Sequence, residues 1–142
     1  MKAQRYLQQI KKINSMIRNK TAEKAQLAAL AYNISSPSMG ERVQSSGNPH
    51  RMENTIINSM SAREEIDKRI AELEAQRREI IETIEQLPTA EYDLLHRVYV
   101  QYLSLAEAAF AEGKSYSWAT TVHGTALKRL QRILDERECE NG

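Results

Sequence analysis

Near the C-terminal end the chain gathers side chains able to recognise a polyanion. Tyr116, Ser117, Trp118, Thr120 and Thr121 place hydroxyls and aromatic rings at the start of an apolar-periodic segment, with Lys114 before it and Lys128 and Arg129 further along. Hydroxyls exchange hydrogen bonds with base edges, apolar groups pack on thymine methyls, and cations pair with phosphates. No competing constellation is visible. His50, His96 and His123 are scattered, and His123 follows no nucleophile. The carboxylates between Glu64 and Glu85 recur along a helix surface rather than as an acid/base pair. Cys139 stands alone in a charged tail, which excludes an internal disulfide and a thiolate-rich zinc site. There is no Gly-rich phosphate loop, no Gly-x-Ser-x-Gly and no His-Glu-x-x-His. The expectation is a protein with no catalytic residues, no metal and no cofactor.

Composition sets the scale of what must hold these residues. With 142 residues, 41% apolar and 27% charged, the chain suits one compact domain or a helical arm with a small head. Three prolines and five glycines permit long helices almost throughout. No apolar run approaches the roughly 20 residues of a membrane span. Met1-Lys2-Ala3-Gln4-Arg5 is not followed by the apolar stretch of a signal peptide, so the expected compartment is the cytoplasm, without membrane association. Net charge is +1, but it is unevenly spread. Residues 1–50 carry eight Lys/Arg against two Asp/Glu, residues 51–87 six against nine, and residues 88–142 six against eight. The basic surplus therefore lies away from the segment with the polyanion-binding residue types.

Periodicity predicts the elements. Leu7, Ile10, Ile13, Ile17, Leu27 and Leu30 recur at helical spacing over residues 2–32. Pro37, Gly40, Gly47 and Pro49 punctuate a Ser-, Gly- and Asn-rich stretch over 33–50, read as a flexible loop. Residues 51–86 read as one long helix. Ile66, Leu73, Ile80 and Leu87 fall seven apart, with Ile56, Ile70 and Ile84 on a companion seam that Arg63 and Arg77 interrupt. Such a stripe needs a partner, either the first helix folding back or a second copy of the chain; fold-back is the preferred reading. Pro88 ends the long helix, and Thr89 is placed to cap a helix over 90–103 whose apolar face carries Leu95, Val98, Tyr99 and Tyr102. Ser104-Leu105-Ala106-Glu107 is a capping box opening a short Ala-rich helix to Glu112. Gly113-Lys114 makes the turn, and Ser115 or Ser117 caps a last helix that reaches about Arg137.

Two helices joined by a short glycine-containing turn, the second longer and polar at its start, describe a helix-turn-helix. Ala119, Val122, Ala126, Leu130 and Ile133 share the face that packs on Ala108, Ala109 and the Leu95/Tyr99 side of the preceding helix. The opposite face presents Tyr116, Ser117, Trp118, Thr120, Thr121 and Lys128.

On these residues the chain from Leu87-Pro88 to Leu130 resembles region 4 of bacterial sigma factors. The likeness rests on Val98-Tyr99-Val100, Ser104-Leu105-Ala106-Glu107-Ala108-Ala109, Ser115, and Ala126-Leu127-Lys128-Arg129-Leu130. With Val43-Gln44-Ser45-Ser46 and His123, the whole chain is similar to a family of small proteins of Gram-positive phages and prophages, and its head to phage late transcriptional regulators of the ArpU and RinA kind. It departs from the sigma pattern where arginines and a glutamate usually open the recognition helix; here stand Tyr116, Ser117 and Trp118. The bidentate arginine–guanine contact is therefore missing from this helix.

The expected architecture is all-α: an N-terminal helical hairpin or coiled-coil arm over 1–87, then a three-helix, sigma-region-4-like helix-turn-helix head over 88–142 ending in the charged tail. The resemblance implies a phage or prophage transcriptional regulator in the cytoplasm of a bacterial host cell, with double-stranded DNA as partner. In this reading Tyr116, Ser117, Trp118, Thr120 and Thr121 face bases in a major groove, and Lys114, Lys128 and Arg129 face the backbone. RNA polymerase and a second copy of the chain, joined through the arm, are the further partners considered. The alternative is an adaptor that engages polymerase or another phage factor without reading DNA.

Overall fold

The computed structural model describes residues 1–35 and 49–141, and every regular element among them is helical, as an all-α fold requires. Helix α1 spans Ala3–Ser35, α2 Pro49–Ile84, α3 Thr89–Leu95, α4 Leu105–Ala111 and α5 Tyr116–Asn141. The loop expected over 33–50 is thus bounded by helix on both sides; its residues 36–48, with Val43-Gln44-Ser45-Ser46, lie outside the described residues. None of the described helices is long and apolar enough to cross a membrane.

The chain forms two compact units, one of Met1–Asn14 with Ala75–Gly142 and one of Ser15–Glu74. The division therefore does not fall at Leu87–Pro88. The reason is packing: Leu7, Ile10, Ile80, Ile84 and Leu87 are all buried in the same unit as the C-terminal helices. In the unit of residues 15–74, α1 and α2 run antiparallel. Lys24 pairs with Asp67 at 2.7 Å, and the buried Ser59 hydroxyl donates to the Leu27 carbonyl at 3.0 Å. Leu73 and Ala31 are buried there, while Arg63, one of the two seam arginines, keeps a buried Nε without a hydrogen-bond partner. The other seam arginine, Arg77, belongs to the larger unit and donates to Asn14 Oδ1 at 2.5 Å; Asn14 in turn donates to the Tyr102 hydroxyl. Fold-back of α1 on α2 thus supplies a partner for the heptad stripe.

Pro88 ends α2 as the sequence predicts. The last turn tightens before it, with Gln86 N–H donating to the Thr83 carbonyl and Leu87 N–H to the Ile84 carbonyl, at 3.2 and 3.1 Å. Pro88 itself, not Thr89, is the N-cap of α3, with no side-chain cap bond. The single helix expected over 90–103 is instead α3 followed by a π-helical turn, His96–Val100. The Gln101 N–H bonds the His96 carbonyl at 3.0 Å, and the Gln101 amide also meets His96 Nδ1 at 2.9 Å, which fastens the widened turn. The chain leaves through Tyr102 at φ 62°, a left-handed conformation costly for a residue with a side chain.

Helices α4 and α5 then follow with the predicted signals at both ends. Ser104 Oγ accepts from Glu107 N–H and the Glu107 carboxylate accepts from Ser104 N–H, each at 3.1 Å, completing the capping box. At the other end Gly113 has φ +69°, its N–H bonds the Phe110 carbonyl at 3.0 Å, and Lys114 N–H bonds the Ala109 carbonyl at 2.9 Å. That is the Schellman stop, in which only glycine takes the left-handed position freely. Ser115 caps α5 by accepting from Trp118 N–H at 3.0 Å, and α5 runs on to Asn141.

The two described glycines should respond oppositely to the same substitution. At Gly113 an added Cβ meets nothing but sits at positive φ, so Gly113→Ala should cost about 1 kcal/mol. At Gly124, inside α5, an added Cβ also meets nothing, so Gly124→Ala should raise stability by about 0.8 kcal/mol through helix propensity alone. Urea unfolding midpoints of the two variants, moving in opposite directions from wild type, check this.

Candidate nucleic-acid interface

The exposed face of α5 follows from how its other face is used. Leu94, Ala108, Ala109 and Ala119 form a buried cluster against which Val98, Leu105, Trp118 and Val122 pack. Ala126, Leu130 and Leu134 continue the buried line along α5. With 100° per residue, the opposite line is Ser117, Thr121, Gly124 and Lys128 at i, i+4, i+7 and i+11, flanked by Thr120, Thr125 and Arg132. All of these except the half-buried Gly124 are exposed. Neither Lys128 nor Arg132 forms an ion pair among the described residues.

The hydroxyls on this face divide into two kinds. Thr120 Oγ1 donates to the Ser117 carbonyl at 2.9 Å and Thr125 Oγ1 to the Thr121 carbonyl at 3.1 Å, so their protons are engaged and their lone pairs remain for a donor. Among the described residues Ser117 and Thr121 make no side-chain hydrogen bond and can both donate and accept. Tyr116 is 59% exposed at the first turn, and Lys114 stands 5.9 Å from the Trp118 ring centroid, within cation–π range.

The structure does not bring all eight predicted contact residues onto one surface. Lys114, Tyr116, Ser117, Thr120, Thr121 and Lys128 are exposed around the start and outer line of α5. Trp118 is half-buried and packs on the core cluster instead of sharing the outer line. Arg129 lies on the flank and its Nε pairs at 3.0 Å with Glu91, whose side chain is only 10% exposed. The second Glu91 oxygen is buried without a partner, so the ion pair is what compensates this carboxylate. Arg129 therefore ties α5 to α3 and is only partly available to a phosphate.

Two residues that sequence reasoning did not single out stand out in the structure. Phe110 is 88% exposed at the end of α4, beside the turn. Its signal was available: Leu105, Ala108 and Ala109 fill the inward positions at i, i+3 and i+4, which leaves Phe110 outside the stripe. Gly124 is the other, the one position of the outer line with no side chain.

Between α5 and the π-helical turn, Tyr99 and His123 stack with ring centroids 5.8 Å apart at 15°, and the Tyr99 hydroxyl and His123 Nε2 are hydrogen-bonded at 2.8 Å. Burial pushes the Tyr99 phenol up, only partly offset by a hydrogen bond from Gln4, and burial pushes the His123 imidazole down. The Glu107 carboxyl is held low, first by the Ser104 backbone N–H and then by its hydroxyl. Among the described residues no three His, Cys, Asp or Glu side chains are grouped as a metal site.

Comparison with protein-family models, with curated proteins and with solved structures finds no match in any of the three.

Two measurements test this arrangement. Arg129→Ala leaves the Glu91 carboxylate buried and unpaired, so it should cost about 1–3 kcal/mol in urea unfolding, discounted from a fully buried pair because the arginine is half exposed. In the Glu91→Gln background the same substitution should cost less than half as much. The depressed His123 value also sets a pH dependence. The folded chain binds this proton less readily than the unfolded chain, so the stabilisation is fully present above the ordinary value of about 6.5 and is lost as pH falls through the lowered folded value. The difference in unfolding free energy between wild type and His123→Gln should therefore shrink as pH drops below about 6.5.

Proposed function

We propose that this chain is a DNA-binding transcriptional regulator of a phage or prophage, acting in the host cytoplasm by laying the outer line of α5 in a major groove. The observation that carries the reading is the composition of that line. Ser117 and Thr121 offer uncommitted hydroxyls, Lys128 an unpaired ammonium, and Gly124 a gap where another backbone can approach. The line takes no part in the buried face of α5, while the capped α4 and the Schellman turn set its position beside Lys114. Hydroxyls and thymine-methyl contacts would read bases here, in place of the arginines of the sigma pattern. Lys114, Lys128 and Arg132 are the backbone-facing cations, with Arg129 retained chiefly by Glu91. Trp118 supports the surface from beneath. Nothing in this reading requires catalysis, a metal or a cofactor.

One observation favours a second reading, in which the head engages RNA polymerase or another phage factor. Phe110, at 88% exposure, is an apolar side chain of the kind that anchors protein interfaces. The two readings are compatible, as is pairing of two chains through the arm.

Selection of bound duplexes from a random DNA pool tests the first. Wild type should enrich a motif, and Ser117→Ala/Thr121→Ala, with unchanged helicity, should not. Lys128→Ala should weaken binding to every sequence alike and reduce the slope of log K on log salt by about 1. Gly124→Ala should bind less tightly although it folds more stably. No enrichment even at low salt would sink the DNA reading; a Phe110→Ser variant that then loses copurifying polymerase would establish the second.

A further inference from the structure

The π-helical turn does more than join α3 to α4. Val98 and Tyr99 from it, with Tyr102 just beyond, form one side of a cleft of about 340 Å3, and Leu7, Gln8 and Lys11 of α1 form the other. All six residues belong to the larger compact unit. Two uncommon backbone features, the π turn and the left-handed Tyr102, therefore meet at a single concavity. π turns are frequent at functional sites, and strained residues persist where the surroundings hold them for a purpose.

The lining specifies a chemistry. The floor is apolar, with Leu7 fully buried and Val98 half-buried. Two tyrosines, the buried Tyr99 and the half-exposed Tyr102, line it and suit contact with another ring. At the rim, Lys11 and Gln8 are exposed and neither makes a hydrogen bond or ion pair among the described residues. An ammonium and an amide over an apolar, aromatic floor match a compound with a flat body and one anionic group. The volume lies near the lower end of small-molecule pockets, about 300–1,000 Å3, and so suits one or two rings.

The cleft is also connected to α5. Tyr99, which lines it, is stacked on and hydrogen-bonded to His123, one residue before Gly124 on α5. A ligand against the Tyr99 ring changes the setting of the residue that holds His123 in place. We infer that this cleft binds a small aromatic carboxylate, with Lys11 as its counter-ion, and that the Tyr99–His123 contact carries its occupancy to α5. This goes beyond the DNA reading and does not depend on it.

The test uses the full chain without DNA, with 2-naphthoate as probe and uncharged 2-naphthamide as control, followed by proton NMR of the aromatic and histidine rings. Naphthoate should bind saturably at one site and shift both the Tyr99 and His123 resonances. Lys11→Met should weaken naphthoate about tenfold and leave naphthamide unchanged, that ratio corresponding to one partly exposed charge-assisted hydrogen bond. Gln8→Trp, which closes the rim from an exposed position, should abolish binding of both. Both substitutions are at exposed positions of α1, and an unchanged thermal midpoint confirms folding. No saturable shift up to millimolar probe, or equal binding by wild type and both variants, overturns the site. Binding that Lys11→Met weakens but that leaves the His123 resonance unmoved overturns the connection to α5.

Discussion

The close crossing of α4 over α5 is the constraint on which the rest of the head depends. Ala108, Ala109 and Ala119 are all at most 2% exposed at this crossing, and each offers only a methyl group. Interaxial distance is set by the side chains at the contact, so methyl groups allow the backbones to approach while Leu94 fills the space beneath. A larger residue at any of these positions would lift α4 and carry the turn with it. The caps depend on the same geometry. The Schellman bonds at Gly113 and the Ser115 cap require α4 to end and α5 to begin within four residues, and only a close crossing leaves room for so short a connection.

Along the far part of α5 polar contacts join the buried Leu130 and Leu134 in fixing the helix. Gln131 Oε1 accepts from Ala3 N–H at 2.7 Å, satisfying one of the unpaired donors at the start of α1. Arg137 donates at 2.9 Å to Thr83 Oγ1, a buried hydroxyl that donates to the Glu79 carbonyl at 2.8 Å and meets the Tyr6 hydroxyl at 3.1 Å. Glu91 and Arg129 add the link to α3. Each such bond contributes about 1 kcal/mol net, but removing one partner exposes the full cost of desolvating the other. These contacts choose among arrangements as much as they stabilise one. They explain why the ends of the long helices belong with the C-terminal elements and not to a separate arm.

Sequence reasoning reached the features whose causes are local. The capping box, the glycine turn and the proline stop each involve residues within a few positions of one another, so their chemistry can be read directly. The heptad stripe was legible because burial repeats it at Leu73, Ile80 and Leu87. The π turn was not, because its i, i+5 bond pattern follows from how the end of the helix is held and leaves no periodic mark. Arg129 and Trp118 were assigned outward for a related reason. Arginine and tryptophan are amphipathic, and the partners that decide their roles, Glu91 and the alanine cluster, come from other helices. Phe110 was overlooked although its offset from Leu105, Ala108 and Ala109 was visible.

The last helix thus has two faces of different composition. The inner line from Ala119 to Leu134 is buried, chiefly against α3 and α4, and a change there is felt by the fold. The outer line of Ser117, Thr121, Gly124 and Lys128 makes no side-chain hydrogen bond or ion pair among the described residues, and Gly124 makes the helix less stable than alanine would with open space beside it. Serine and threonine are also weaker helix formers than the alanines that could occupy these positions. A face assembled from residues that do little for folding, and at one position work against it, is what the proposed DNA contact would require. In that proposed reading, small hydroxyl side chains around a glycine would admit a close approach along the helix, and the exposed Lys114, Lys128 and Arg132 would supply charge complementary to a phosphate backbone.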